Sequence, residues 1–149
     1  MTRLLAALLC ALVLALGAPA PASAADKVVK LTLDGRPVDR GGGVAVALAR
    51  NGVVYANLVD LVKSFNGLLT FQGAGAVVSI GAVTATFTAG SRTAKVGEGA
   101  QTMRGQTFLR DGDLFVPLDF FVTQVARAKV KLDPAHGKAD ILVNANPLS

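Results

Sequence analysis

Arg110 to Val125 reads Arg-Asp-Gly-Asp-Leu-Phe-Val-Pro-Leu-Asp-Phe-Phe-Val-Thr-Gln-Val, and it constrains the fold more than any other stretch. Asp111-Gly112 is a hairpin-turn pair, because both residue types tolerate positive φ. Leu114-Phe115-Val116 is a strand-like apolar run. Pro117 suits the first turn of a helix, where its missing N–H leaves no bond unmade. Leu118, Phe121, Val122 and Val125 then recur at i, i+3, i+4 and i+7, one apolar helix stripe. The same order occurs sixty residues earlier. Arg50-Asn51-Gly52 stands for Arg110-Asp111-Gly112, Tyr55 for Phe115, and Leu58, Leu61, Val62 and Phe65 for the stripe. Asn57, in place of Pro117, is a helix N-cap type, and Asp60 sits at the favourable end of the helix dipole. After each helix comes strand, tight turn, strand, over 68–80 and 129–143. One such unit exposes too much apolar surface to stand alone, whereas two can share a core. The expected fold class is therefore α+β: a mostly antiparallel sheet carrying two short amphipathic helices on one face, with a pseudo-symmetric internal repeat.

The other segments fit that frame. Lys27 to Leu33 alternates apolar and polar residues as a half-buried strand does. Asn51-Gly52 between two apolar runs predicts a hairpin joining 44–49 to 53–56. In 82–88, Val83, Ala85 and Phe87 oppose threonines 84, 86 and 88, which can face water on a strand. Asn66-Gly67 closes the first helix. Gly41-Gly42-Gly43 reads as a flexible joint, and 97–105, rich in glycine and polar residues, as mainly loop.

The N-terminus belongs to a different problem. Met1-Thr2-Arg3 is a small positive region, Leu4 to Leu16 is almost unbroken Leu, Ala and Val, and Ala22-Ser23-Ala24 is an A-x-A cleavage site. Residues 1–24 read as a secretory signal peptide, too short in its apolar run for a spanning helix of about 20 residues. Residues 25–143 form the domain and 144–149 a polar tail. Export to a periplasmic or extracellular location follows, with no transmembrane segment after cleavage. Cys10, the one cysteine, falls inside the signal, so no disulfide staples the domain and apolar burial must hold it. Without Arg3, fourteen basic residues face ten acidic ones. They are scattered rather than clustered, which argues against a nucleic-acid surface.

The residues of the second cassette, followed by Val130-Lys131-Leu132-Asp133, resemble the copper amine oxidase N-terminal-like domain over about 28–143. That family carries an Asn-Gly-Arg-x-x-Val-Pro-Leu-Arg type signature, an apolar helix, and then a short strand ending in Trp-Asp or similar. Here Asp119 stands for the frequent Arg, Leu132 for the Trp and Asn57 for the first-copy Pro. The resemblance implies an exported, non-catalytic module with antiparallel strands around helices.

Chemistry is hard to find in these residues. A copper site wants imidazole or sulfur donors; after the signal the chain has one histidine, His136, and one methionine, Met103. Tyr55, the only tyrosine, is flanked by Val54 and Ala56 and reads as strand core. Ser64, Ser79 and Ser91 lie in no nucleophile-elbow context. No catalytic, metal or cofactor-binding residues are assigned, and the chain is not expected to be an enzyme. Phe120, beside the stripe, either fills the core under the second helix, which its burial tendency favours, or shows outward as a partner contact with Asp111 and Asp113 in the nearby turn. The expected function is binding at the cell envelope, to cell-wall polymer or another exported protein. The alternatives are an exported enzyme or inhibitor with a cryptic site, and an assembly subunit pairing through edge strands.

Overall fold

The computed structural model describes residues 26–38 and 45–143. The signal segment, the Gly41–Gly43 joint and the tail 144–149 lie outside them.

The hairpin signals act where the sequence puts them. Asn51 and Gly52 take φ of 52° and 80°, and Asp111 and Gly112 take 53° and 85°. Positive φ at both central residues makes a turn whose twist matches the flanking strands. These turns join β3 (Val46–Arg50) to β4 (Val53–Asn57) and β10 (Phe108–Arg110) to β11 (Asp113–Pro117). β4 runs directly into helix α1 (Leu58–Ser64), where Asn57 Oδ1 accepts from the N–H of Val59 at 2.9 Å as the N-cap. β11 runs directly into α2, which opens over Leu118–Phe120 and continues as a π-helical stretch over Phe121–Val125. The widened turn is marked by the N–H of Ala126 donating to the carbonyl of Phe121, five residues back, at 2.9 Å. Leu118, Phe121, Val122 and Val125 are all fully buried. The end of α1 differs from expectation: Asn66, not Gly67, takes the left-handed conformation, with φ of 56°. Gly67 is glycine for room, since a Cβ there would come within 2.7 Å of the Ser79 carbonyl oxygen.

The larger correction concerns the sheet. The described residues form two sheets rather than one, and the helices lie between them. The first has the order β10-β11-β4-β3-β1-β13-β12, with β2 (Arg36–Pro37) paired on β1. Its pairs are antiparallel except β1 (Lys27–Leu33) with β13 (Lys138–Leu142), which run parallel. β12 (Lys129–Asp133) is its far edge. The second is a five-strand meander: β5 (Leu68–Gln72), β6 (Gly75–Ile80), β7 (Val83–Thr88), β8 (Thr93–Val96) and β9 (Gly99–Thr102). β9 falls inside 97–105, read from sequence as mainly loop. Its Gly-Ala-Gln-Thr lacks apolar alternation, and its pairing with β8 makes it a strand.

One continuous core joins the layers. Ala47, Val54, Ala56, Leu114 and Val116 of the first sheet meet Leu58, Leu61, Phe121 and Val122 of the helices, and these meet Val78, Ala85 and Phe87 of the second. A helix covered on two sides buries more than one stripe. This is why Phe120, beside the stripe, is 8 % exposed, its ring edge-on to Phe87 with centroids 6.1 Å apart, and the outward alternative fails. Phe120 is a core residue. Asp60, its counterpart in α1, is buried too.

Among the described residues the two cassettes share their burial profile from turn to helix, 51–62 against 111–122. β4 and β11 are antiparallel neighbours, with Ala56 opposite Val116, sixty residues apart. The hairpins that follow go different ways: β5–β6 open the second sheet, and β12–β13 close the far side of the first.

Candidate functional site

Strand alternation sends one side chain in two to the outer face of the first sheet. Leu48, Tyr55 and Phe115 form a second, smaller cluster there, with Val53 and Phe108 packed against it. The Phe108 and Phe115 rings stack at 5.4 Å with 4° between their planes, and Tyr55 meets Phe108 edge-on at 4.9 Å. Arg50, last residue of β3, lays its guanidinium 3.8 Å from the Phe108 ring centroid, a favourable cation–π distance.

That guanidinium is held from the other side. Its Nε and Nη2 donate to the two carboxylate oxygens of Asp26 at 2.7 and 2.8 Å, and Arg110 Nη1 donates to the same carboxylate at 2.8 Å. Asp26 is only 10 % exposed. The hydrogen bonds from Arg50 hold its carboxyl below the ordinary carboxylate range, with the positive charges of Arg50 and Arg110 adding and burial opposing. Arg50 and Arg110 occupy the same place in the two cassettes, each leading into its turn.

The loop from β9 to β10 lies against this cluster. The Ser91 and Arg92 carbonyls accept from the N–H groups of Thr107 and Met103 at 3.0 and 2.7 Å. Arg92 Nε and Nη2 donate to the Met103 and Arg104 carbonyls at 3.2 and 2.8 Å. Arg104 Nη1 donates to Asp119 of α2 at 3.3 Å. Gly105 sits directly on the Tyr55 hydroxyl, where a Cβ would collide with it. Tyr55 is 5 % exposed. Burial pushes its phenol above the ordinary tyrosine value, against the lowering effect of Arg50 and of a hydrogen bond with the Gln106 backbone. The hydroxyl therefore keeps its proton at neutral pH.

Between these groups lies a cleft of about 460 Å³, lined by Arg50, Arg92, Arg104, Tyr55, Gln106 and Asn51 among others. Three guanidiniums and a phenol face it, and no carboxylate does. A cavity of similar volume lies between Leu33–Val38 and Lys63–Ser64 and mixes Asp34 with Arg36 and Lys63. The arginine cleft is thus the better-defined candidate site.

The residues picked out from sequence are not gathered there. Phe120 is in the core. Asp111 is exposed and Asp113 half-buried at the tip of β10–β11, with the length of β11, about 13 Å at the usual strand rise, between Asp113 and the start of α2. His136 is exposed, its Nδ1 3.0 Å from the Asp133 carboxylate within one turn. Among the described residues no three His, Cys, Asp or Glu side chains converge in a way that could hold a metal ion. Sequence reasoning missed the arginine cluster because its members are far apart: Asp26 and Arg110 are separated by 84 residues. The usable signal was the similar Arg-Asn-Gly and Arg-Asp-Gly turn sequences, which set Arg50 and Arg110 one residue before each hairpin turn.

No curated protein and no solved structure matches the chain. The family model described as "Copper amine oxidase N-terminal domain" matches residues 33–141, most of the chain, from the end of β1 to within β13. That family is one of non-catalytic modules, usually found in exported proteins. With the match spanning both cassettes and the helix layer, the chain belongs to the copper amine oxidase N-terminal domain family.

Proposed function

We propose that this protein is an exported, non-catalytic binding module of the cell envelope, whose ligand is wall polymer or another exported protein. The observation that carries the binding reading is the cleft on the outer sheet face. Its donors are held in place by Asp26, Asp119 and backbone carbonyls, yet no nucleophile–base pair or acid pair accompanies them. Preorganised donors without a catalytic partner suit recognition. Export rests on the sequence signals in 1–24, with 25–143 as the module and 144–149 as a tail. The Asp111–Asp113 tip is proposed as a further contact with the partner. We also read the two cassettes as copies related by a local two-fold through the Ala56–Val116 pair. Crosslinking on intact cells, followed by identification of the captured material, tests the reading. Capture of wall polymer or of one exported protein is expected; recovery of the protein only from the cytoplasm, its N-terminus uncleaved, would contradict it.

A second reading is favoured by β5. This edge strand has no charged residue, and its Leu68 and Phe71 are 73 % and 56 % exposed, whereas the β12 edge carries Lys129 and Lys131. Uncharged apolar edges invite strand pairing. An assembly subunit pairing through β5 would give a dimer mass in solution that Phe71→Lys returns to the monomer.

A further inference from the structure

We propose that the arginine cleft is an anion site for a phosphate-class group, either free or carried on a lipid headgroup. The proposal rests on the reading of the chain as a binding module and names the chemistry of its ligand.

Arg50 and Arg92 are each fixed along one edge, Arg104 is tethered at one nitrogen, and all three leave N–H groups over. Arg50 uses Nε and Nη2 on Asp26, which leaves Nη1. Arg92 uses Nε and Nη2 on the loop carbonyls, which again leaves Nη1. Arg104 uses only Nη1, on Asp119, and its side chain is 70 % exposed. The internal partners orient the forks without neutralising all of them: Arg92 bonds to neutral carbonyls, and Asp26 is shared between two arginines. The protonated Tyr55 hydroxyl adds a neutral donor. Donors outnumber acceptors on this surface, so a ligand must bring oxygens and negative charge. Guanidinium forks match phosphate and carboxylate alike. Three forks and a phenol offer more donors than the two oxygens of a carboxylate take up, and the tetrahedral spread of phosphate oxygens suits donors arriving from a strand, a turn and a loop.

The test titrates pyrophosphate into the purified protein and follows the arginine Nε–H signals by NMR. Saturable shifts at Arg50, Arg92 and Arg104 are expected. Arg104→Glu, on an exposed side chain whose one ion pair is with Asp119, is expected to weaken binding roughly tenfold or more, the usual worth of a charged hydrogen bond. Lys131→Gln, which removes a charge from the far edge, should leave binding unchanged. Non-saturating shifts, or an equal loss from Lys131→Gln, would mean general charge attraction and overturn the site. Sedimentation with phosphatidylglycerol vesicles separates the sources: co-sedimentation lost in Arg104→Glu assigns the headgroup, while pyrophosphate binding without co-sedimentation assigns the free group. A cellular partner captured equally by wild type and Arg104→Glu would sink the anion assignment and leave the binding-module reading standing. Saturable pyrophosphate binding with no cellular partner would do the reverse.

Discussion

Asp26 shows how much one carboxylate can organise. It receives the arginines that lead into both hairpin turns, Arg50 and Arg110, and so ties the start of β1 to β3 and β10. Its pKa is lowered in the folded state, so the stability it adds is present in full above the unfolded carboxylate value of 3.8 and is lost as pH falls through the lower folded value. Thermal melts of wild type should therefore drop below that point, and Asp26→Asn, already lacking the carboxylate, should melt lower at pH 7 with a shallower acid-side fall. Equal acid slopes would contradict this. Gly105 is the second residue on which the cleft depends. Its backbone is not left-handed; the requirement is space against Tyr55. Gly105→Ala should cost about 1–3 kcal/mol through overpacking, and Tyr55→Phe in the same chain should recover part of it, as chemical denaturation can measure. Neither residue was legible beforehand. Tyr55 was read as strand core, which its burial supports, but its hydroxyl reaches the loop at 103–107. That loop meets the Tyr55 strand only after fifty residues of intervening chain.

At the scale of elements the sequence was a better guide, because turns and caps are local. Asn51-Gly52 and Asp111-Gly112 place the hairpins, and Asn57 caps α1 by its own side chain. Asn57→Ala should lower stability by about 1 kcal/mol. Asn57→Ser, which keeps an acceptor, should not; equal losses would point to packing of the buried side chain rather than capping. What was not legible was the number of sheets. Alternation in 68–88 says that these strands have a buried face, but not which element covers it. The π-helical stretch in α2 was also invisible, since its stripe Leu118, Phe121, Val122 and Val125 suits an α-helix equally well. Phe120 belongs to the core, as its aromatic character favours, although it lies beside the stripe, because α2 has two dry sides.

In the whole molecule, the helix layer is what makes one domain of two sheets. Phe121 lies between Phe65 of the first cassette and Phe87 of the second sheet, with ring centroids 6.2 and 6.1 Å away, and is fully buried. Phe121→Ala should cost about 3–5 kcal/mol, in line with large-to-small changes in cores, and its unfolding should stay a single transition because both sheets share that core. Separate transitions would mean that the sheets are independent. The layering also leaves the outer face of the first sheet free to carry the arginine cleft without disturbing the core, which is compatible with the proposed binding role. Family membership and the two turn–strand–helix segments were readable from sequence, whereas the cleft emerged only once β3, β4, β10 and two loops were set side by side. A photo-reactive residue placed at Gln106, on the rim of the cleft, tests that role most directly in intact cells. We expect a discrete crosslinked product from position 106, lost with Arg104→Glu and absent when the probe sits at Lys131. The same product from both positions, or one indifferent to Arg104→Glu, would contradict a binding function for this face.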